Sequence, residues 1–490
     1  MSRPAYDAVV IGSGPNGLAA AIEIARAGRS VKVIEANDAP GGGTRSEELT
    51  LPGYVHDTCS AIHPLLSVSE FFNTIPLERL GIELAHPEIP YAHPLDGGRI
   101  AVLHRSVELT AQGLGSDANA YARLMGPLAK NCQEIMDMFL GPIQLPKRPA
   151  LMIGFGLRAI RSIKGLGSRF DTDEGRVLLA GAAAHSMLKT SQVGTAGFGL
   201  GLAMTAHAVG WPCVVGGSGR ISEGLVAYLR ELGGELELEH RVTSMAELPD
   251  ARAYVFDTSA RELASIAGDA LSARYRRAIR RFRYGLGVFK LDWALSEPVP
   301  WAAPEARKAG TLHLAGTVEE MAAAEASVRQ GRAPDRPYVL FAQQSVFDAS
   351  RAPAGGHTAW AYSHVPAGST LDMTQRMEDQ IERFAPGFRD VIVERRTMSP
   401  ADVEAHNSNY IGGDINSGVQ DIRQLFTRPT WRPRPYLTSN PNVYICSSAT
   451  PPGGGVHGMC GLHAARLVLR RSLGVSAKQA EVAKKSRRIA

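Results

Sequence analysis

The stretch over residues 6–46, YDAVVIGSGPNGLAAAIEIARAGRSVKVIEANDAPGGGTRS, decides the fold. Residues 7–12 have the apolar character of a short buried strand, and residues 16–27 have the composition of a helix. A second apolar strand follows over residues 30–34, and a GxGxxG turn joins the first strand to the helix. Strand, glycine-rich turn, helix and strand in this order predict a dinucleotide-binding βαβ unit.

Each glycine of the turn meets a different steric need. Gly12 permits the sharp turn, Gly14 lets a pyrophosphate approach the backbone, and Gly17 lets the helix lie close to the strand. The helix N-terminus offers unpaired N–H groups and a partial positive charge to phosphates. Glu35 ends the second strand, where it can accept hydrogen bonds from ribose hydroxyls and would repel a 2′-phosphate.

A second glycine run, residues 41–43, favours FAD over NAD. FAD lies close to this segment because its pyrophosphate crosses it, whereas NAD domains rarely need a second close approach there. The alternative is a plain glycine-rich turn. The residues predicted to bind FAD in this part of the chain are Gly12, Ser13, Gly14, Pro15, Asn16, Gly17, Glu35, Ala36, Gly42, Gly43, Thr44 and Arg45.

The composition of the 490 residues, 44% hydrophobic and 21% charged, is that of a soluble protein with more than one core. A net charge of +5 is too small to favour nucleic acid. The five cysteines include no CxxC pair, which argues against a disulfide framework or a CxxC redox centre, and no metal-ligand spacing stands out. The first strand leaves no room for a secretory signal, so we expect a cytoplasmic protein.

Further motifs extend the pattern to the C-terminal end. They are GYVHDTCSAIHPL (53–65), HAVGWPCVVGGSGRISEGL (207–225), YGLGVFKLDWAL (284–295), NYIGGDINSG (409–418) and NVYICSSATPPGGGVHGMCGLHAARL (442–467). With them the sequence resembles the FAD-dependent oxidoreductases that include phytoene desaturases, flavin amine oxidases and Rab GDP-dissociation inhibitors. Within that group it is most similar to phytoene-desaturase-like relatives of pyridine nucleotide-disulfide oxidoreductase domain-containing protein 2.

The resemblance implies an α/β fold with two domains. A Rossmann-like FAD-binding domain is expected from three segments, residues 1–75, 207–283 and 400–475. A substrate domain with a mixed sheet and helices is expected from residues 76–206 and 284–399. The sequence alone is compatible with a mixed sheet in the substrate domain, because residues 284–365 contain four runs that alternate like strands.

The resemblance also implies further contacts to FAD. Val242 would hold the adenine end through its backbone, although an ordinary strand valine is the simpler interpretation. Many relatives carry Gly-Asp where this chain has Ser447-Ser448, which removes the usual acidic contact. The predicted FAD-binding residues in these later segments are Val242, Ser448, Gly455, Val456 and His457.

The function implied is that of an FAD-dependent enzyme, a dehydrogenase, desaturase or oxidase. It would pass a hydride from a C–C or C–N bond to flavin N5, on a hydrophobic polyene or isoprenoid substrate. Oxygen or a quinone would accept the electrons, because no second nucleotide fingerprint is convincing; residues 154–159 fit GxGxxA, but no strand precedes them. Two alternatives remain, a redox-neutral flavin isomerase and a partner-binding protein without catalysis.

Three residues are candidates for catalysis. Lys290 falls where flavin amine oxidases carry a lysine, yet its alternation with apolar neighbours, repeated at Asp292, favours a solvent-exposed strand face. His63 and His207 lie in stretches bounded by glycine or proline and could act as acid or base near neutral pH. Lone histidines are more often structural. Asp57 and Asp414 could orient a substrate or serve turns.

Residues 147–169 hold six basic residues and no acidic one. A basic amphipathic helix there could lie on an anionic membrane surface. The favoured alternative is a helix that covers the pocket or contacts a second copy of the chain. The basic segment 476–490 lacks apolar periodicity and is predicted to be disordered.

Overall fold

The computed structural model describes residues 4–142 and 145–476. The strands are β1 (Tyr6–Ile11), β2 (Val31–Ile34), β3 (Ser46–Glu47), β4 (His56–Asp57), β5 (Leu84–Ala85), β6 (Ile89–Pro94), β7 (Ile100–Leu103), β8 (Cys213–Val214), β9 (Glu235–Glu237), β10 (Ala251–Phe256), β11 (Gly287–Leu295), β12 (Ala309–Leu314), β13 (Val339–Ala342), β14 (His357–Val365), β15 (Ile392–Met398) and β16 (Val443–Ile445).

The helices alternate with these strands in the first part of the chain and cluster between β7 and β10. They are α1 (Pro15–Arg26), α2 (Pro64–Ser67), α3 (Val107–Gly113), α4 (Ala118–Lys130), α5 (Cys132–Phe139), α6 (Pro149–Ala159), α7 (Ile163–Gly167), α8 (Asp173–Ala183), α9 (Thr195–Val209), α10 (Gly219–Glu231), α11 (Ala260–Ala267), α12 (Ala273–Ile279), α13 (Val318–Arg329), α14 (Thr374–Phe384), α15 (Pro400–His406), α16 (Ile422–Leu425) and α17 (Met459–Arg471).

Five strands form a parallel sheet in the order β16-β10-β1-β2-β9 across the described residues. The sheet therefore joins strands from the beginning, the middle and the end of the chain. Its β1-α1-β2 unit is the one that the glycine-rich turn predicts. Together with the mixed sheet described below, this confirms the predicted α/β fold class with a Rossmann-like domain.

Helix α1 lies at the centre of this layer because its side chains are small and apolar. Pro15 occupies its first turn, where the missing N–H costs no hydrogen bond. Helix α17 crosses α1 so closely that a Cβ on Gly461 would lie 1.9 Å from the backbone oxygen of Asn16. The contact between α1 and α17 brings the two ends of the FAD-binding fold together.

Seven strands form the second, mixed sheet in the order β15-β11-β14-β13-β12-β6-β7 within the described residues. The four runs predicted as strands over residues 284–365 are strands β11, β12, β13 and β14. Every residue of β11 is buried, since β14 and β15 flank it and both faces of the sheet are covered at this point. The exposed face expected around Lys290 is therefore wrong.

Two other sequence expectations need correction. The alternating stretch 235–245 forms a strand only over Glu235–Glu237, because Glu239 has a positive φ that ends the extended run. The basic stretch 147–169 contains two helices, α6 and α7, joined by a turn rather than one amphipathic helix. The expected disordered tail, residues 476–490, lies outside the described part except for residue 476. No helix among the described residues is long and apolar enough to cross a membrane.

Candidate functional site

A groove of about 120 Å³ lies at the carboxyl ends of β1, β2 and β10, and we call it the dinucleotide groove. Loops at this edge of a parallel sheet are where such folds bind ligands. Among the predicted FAD-binding residues, those that line this groove are Gly12, Gly14, Pro15, Asn16, Glu35, Ala36, Gly42, Gly43, Val242 and Ser448.

Three glycines let the turn between β1 and α1 pack tightly against its own backbone and against Asp257. Gly12 has a φ of +96°, and a Cβ there would lie 2.7 Å from the carbonyl oxygen of Asp257. A Cβ on Gly14 would lie 2.6 Å from Asp257 Oδ2, and one on Gly17 would lie 2.2 Å from the oxygen of Gly12. This cradle of bare backbone fits a diphosphate held by main-chain N–H groups.

Glu35 is held at the rim of the groove by its neighbours. Its Oε2 accepts hydrogen bonds from the backbone N–H of Ser13 at 2.9 Å and from the Ser13 hydroxyl at 2.7 Å. Its Oε1 accepts from the backbone N–H of Asn37 at 3.0 Å and from the Asn37 side chain at 2.9 Å. Both Glu35 and Asn37 line the groove.

Asp257, directly after β10, is a groove residue that the sequence analysis missed. Its Oδ2 accepts a hydrogen bond from the backbone N–H of Gly17 at 2.7 Å. Burial, together with the negative charge of Glu35, raises the pKa of Asp257 to about 7, although the hydrogen bond from the Gly17 N–H acts in the opposite direction. The signal was available, because Asp257 ends a buried strand just as Glu35 does.

A second space of about 310 Å³, which we call the apolar cavity, adjoins the groove. Predicted FAD-binding residues form one wall: Pro15, Asn16, Gly43, Thr44, Ser448, Gly455, Val456 and His457. Apolar and aromatic side chains form most of the remainder, among them Met136, Phe139, Phe155, Phe198, Leu202, Trp211, Trp360 and Tyr362. Ser13, Gly17 and Arg45 line neither space.

His63 lines the apolar cavity through a ring that is almost fully buried. The Ser218 hydroxyl donates to the oxygen of Ser60 at 2.6 Å, so His63 Nε2 donates to Ser218 at 2.8 Å. Its Nδ1 is buried and has no partner among the described residues. Burial lowers the pKa of His63 to about 4, although the nearby charge of Asp57 acts in the opposite direction.

The predicted substrate carboxylates Asp57 and Asp414 both serve the structure. Asp57 is fully buried and pairs with Arg351 Nη1 at 3.0 Å. Burial raises the pKa of Asp57, but the Arg351 charge and the Ser218 N–H together bring it below its ordinary value. Asp414 accepts hydrogen bonds from three backbone N–H groups, including that of Gly285 at 2.6 Å. Neither aspartate lines the groove or the cavity.

Lys290 is buried, in contrast to the exposed position favoured above. Only 3% of its side chain is exposed, and it forms an ion pair with Asp292. Its ammonium lies 5.8 Å from the ring centre of Trp360, which lines the apolar cavity. Burial raises the pKa of Asp292 to about 6, while the positive charge of Lys290 lowers it. Lys290 therefore stands one layer behind the cavity wall.

His207 lies away from both spaces. Its Nε2 is 2.8 Å from the Tyr121 hydroxyl, and its Nδ1 is 3.1 Å from the backbone oxygen of Arg105. Burial lowers its pKa to about 4. Its sequence neighbour Trp211 reaches the apolar cavity because Gly210 ends α9 and turns the chain. The structure thus gives His207 the contacts of a structural histidine.

Tyr410 was not predicted, yet it borders the groove, the apolar cavity and a small void beside Lys290. A Cβ on Gly43 would lie 2.1 Å from its hydroxyl oxygen. The segment before it is tied to both sides of the groove. Arg45 donates to the backbone oxygen of His406 at 2.6 Å, and Asn409 accepts from the Ser259 N–H at 2.6 Å.

Comparison with known proteins agrees with this arrangement. Residues 10–75 match the NAD(P)-binding Rossmann-like domain family. Rat pyridine nucleotide-disulfide oxidoreductase domain-containing protein 2 is 24% identical over 560 aligned positions, which cover 96% of this chain and 94% of that protein. A lycopene-forming phytoene desaturase of Pseudescherichia vulneris is 27% identical over 501 positions, which cover 92% of this chain and 96% of the desaturase. The chain is thus similar over nearly its whole length to a phytoene desaturase.

Solved structures share the fold of this chain. An oxidoreductase from Methanosarcina mazei has a TM-score of 0.63 at 15% identity, covering 94% of this chain and 99% of its own. Putrescine oxidase bound to putrescine has a TM-score of 0.60 at 16% identity, and the match covers 96% of this chain and 98% of the oxidase chain. At this general level, the predicted resemblance and the prediction of an FAD-dependent oxidoreductase are confirmed.

Proposed function

We propose that the protein is an FAD-dependent dehydrogenase that oxidises a C–C or C–N bond of an apolar substrate. One observation carries the proposal: the dinucleotide groove and the apolar cavity share a wall. The residues that border both are Pro15, Asn16, Gly43, Tyr410 and Ser448. A dinucleotide whose diphosphate lies on the glycine-rich turn can therefore extend its ring system to the cavity.

FAD bound in the dinucleotide groove would supply the hydride acceptor for this oxidation, and the proton that the substrate also loses would have to leave the cavity for bulk solvent. The chain contributes positioning and the exclusion of water. Aromatic and aliphatic side chains such as Phe155, Phe198 and Trp360 line the cavity and favour a dry substrate pocket. Hydride transfer needs reacting atoms about 3–3.5 Å apart, so such a rigid wall supports this chemistry.

Among the candidate catalytic residues, His63 and Lys290 take positioning roles in this proposal. The Nδ1 of His63 is buried, and its Nε2 ties the Cys59–Leu65 wall to Ser218. Lys290 corresponds to the lysine of flavin amine oxidases by resemblance, but its pairing with Asp292 leaves a buried pair without net charge. It therefore supports Trp360 rather than acting as a free base.

The surface outside the cavity favours a membrane as the source of substrate. Helix α6 contributes Phe155 to the cavity, while Ile153 and Leu157 are 61% and 68% exposed. Leu145 and Ile160 are exposed nearby in sequence, among the six basic residues of 147–169. We propose that this surface, the α6 surface, contacts an anionic membrane, with a contact between two copies of the chain as the alternative. Oxygen or a quinone is the proposed electron acceptor.

The proposed function is tested by anaerobic mixing of the oxidised flavoprotein with amine, isoprenoid and acyl compounds. A substrate bleaches the flavin absorbance near 450 nm, and admission of oxygen or a quinone restores it. Turnover with reduced flavin and no net use of an acceptor would support an isomerase instead. A purified protein that stays colourless after incubation with FAD would support a partner-binding role.

A further inference from the structure

Two histidines meet at the wall of the apolar cavity, and neither was singled out in the sequence. His185 follows α8 and lines the cavity, and His313 lies on β12 behind it. Their Nε2 atoms are 3.1 Å apart, so one ring donates a hydrogen bond to the other. Their ring planes are perpendicular.

The surroundings of His313 determine which ring donates. Its Nδ1 is buried against α8, where a Cβ on Gly181 would lie 2.7 Å away, and it has no partner among the described residues. A buried N–H without an acceptor is costly, whereas an unshared lone pair costs less. His313 therefore carries its proton on Nε2 and donates it to His185. The His185 proton then lies on Nδ1.

The Nδ1–H of His185 is left as a free donor. This nitrogen has no hydrogen-bond partner among the described residues, and the ring forms part of the cavity wall. Burial, with a smaller contribution from the nearby His364, lowers the pKa of His185 to about 3, so the ring is neutral at physiological pH. A neutral donor can contact an uncharged ligand without burying a charge.

The backbone holds the His185 ring in this position. Met187, two residues later, has a φ of +55°, a left-handed conformation that is unusual for a residue other than glycine. Arg329 donates a hydrogen bond to the Met187 oxygen at 2.7 Å, which stabilises the turn. The edge of Trp211 also meets the His185 ring, with centroids 6.4 Å apart. The indole N–H of Trp211 is itself engaged, since it donates to the Thr311 hydroxyl at 2.9 Å.

We propose that His185 donates a hydrogen bond to an oxygen atom of the substrate. The substrate is then an apolar molecule that bears a hydroxyl, ether or carbonyl oxygen, not a pure hydrocarbon. This inference rests on the proposed function, because it assigns the apolar cavity to the substrate. It makes His185 a specificity-determining residue and His313 the residue that orients its proton.

The test compares two probes that differ at one atom. Farnesyl methyl ether offers an oxygen that accepts but cannot donate, and its carbon analogue has CH₂ in place of that oxygen. Equilibrium dialysis of the FAD-loaded protein gives the two dissociation constants and their ratio. In His185→Phe we expect the affinity for the ether, relative to that for its carbon analogue, to fall by about tenfold. This is the effect of one lost hydrogen bond.

Two further variants keep the result interpretable. His185→Asn retains a side-chain donor and should restore part of the preference for the ether. His86→Phe replaces a histidine outside the groove and the cavity and should leave the ratio unchanged. FAD content and circular dichroism establish that each variant is folded.

An equal ratio in the parent protein and His185→Phe overturns the inference, as does a parent protein that binds neither probe. Anaerobic flavin bleaching distinguishes a failure of this inference from a failure of the proposed function. Bleaching by an apolar substrate with an unchanged probe ratio rejects only the role of His185. A shifted ratio in a protein whose flavin no substrate bleaches rejects only the dehydrogenase.

Discussion

The backbone N–H of Gly17 donates a hydrogen bond to Oδ2 of Asp257 across 240 positions of sequence. The bond joins the first turn of α1 to the end of β10, beneath the glycines that open the dinucleotide groove. A carboxylate here satisfies a helix N-terminal N–H, but it also lies close to Glu35 and to the expected diphosphate. Asp257 is therefore a titrating group at the cofactor site.

We expect Asp257→Asn to flatten the dependence of stability on pH. The folded-state pKa of Asp257 is about 7 and its ordinary value is 3.8, so the folded protein favours the protonated carboxyl. The contribution of the protonated Asp257 carboxyl to the stability of the folded state is fully present below pH 3.8 and is lost as the pH rises through about 7. Thermal unfolding of the FAD-free parent protein and of the variant, at pH values from about 4 to about 8, measures the difference in stability.

The same variant should also weaken the pH dependence of FAD affinity, since an ionised Asp257 repels the diphosphate. Asp335→Asn is the matched control, because Asp335 is 97% exposed at the surface. Parallel stability curves for Asp257→Asn and the parent protein would contradict the raised pKa.

Gly17→Ala should abolish FAD binding while the chain still folds. The added Cβ would lie 2.2 Å from the Gly12 oxygen, so the glycine-rich turn has to move away from its ligand-binding position. Gly126→Ala, within α4, is the control because a Cβ there meets nothing within 4 Å. The ratio of flavin to protein absorbance after purification reports the result. Full FAD content in Gly17→Ala would disprove the assigned role of this turn.

Lys290→Met should destabilise the protein by about 3–5 kcal/mol, because it removes the ammonium that pairs with the buried Asp292 and leaves only His56 Nδ1, 3.6 Å from that carboxylate. The double variant Lys290→Met/Asp292→Leu should recover most of this loss. Lys308→Met breaks an ion pair with Glu88 that is more than half exposed and should cost less than about 1 kcal/mol. Urea unfolding at pH 7.5 gives the three values. A single-variant loss as small as that of Lys308→Met would argue against a buried charge pair.

The α6 surface should be the site of membrane binding. Ile153→Glu/Leu157→Glu places two acidic groups among exposed apolar residues, so it should reduce sedimentation with phosphatidylglycerol vesicles by about tenfold or more. Val393→Glu changes a 52% exposed residue on β15 and serves as the control. Equal sedimentation of both variants would place membrane binding elsewhere, and a shift in mass between parent and double variant would favour contact between two copies.

The sequence predicts the FAD-binding fold well because its signals are local. The βαβ unit with Gly12, Gly14 and Gly17 needs only strand, turn and helix chemistry within a short stretch, and these elements form as expected. Lys290 shows the limit of this reasoning. Its alternation with apolar residues has the period of a strand, but only the placement of β11 between β14 and β15 buries its polar face.

The candidate site was harder to predict because its residues meet through long-range contacts. Asp257, Tyr410 and the His185–His313 pair come from strand ends, loops and helices far apart in sequence. His63 reaches the cavity wall and His207 does not, although both sit in similar glycine- and proline-bounded stretches. Residue type and sequence neighbours do not show which histidine faces the cavity.

The close crossing of α17 over α1 has a consequence for biosynthesis. Strand β16 and Gly461 leave the ribosome more than four hundred residues after the glycine turn. Until they arrive, α1 lacks the partner that covers it, and the wall containing Ser448 does not exist. Nascent chains should thus be unable to retain the flavin until these two segments have emerged.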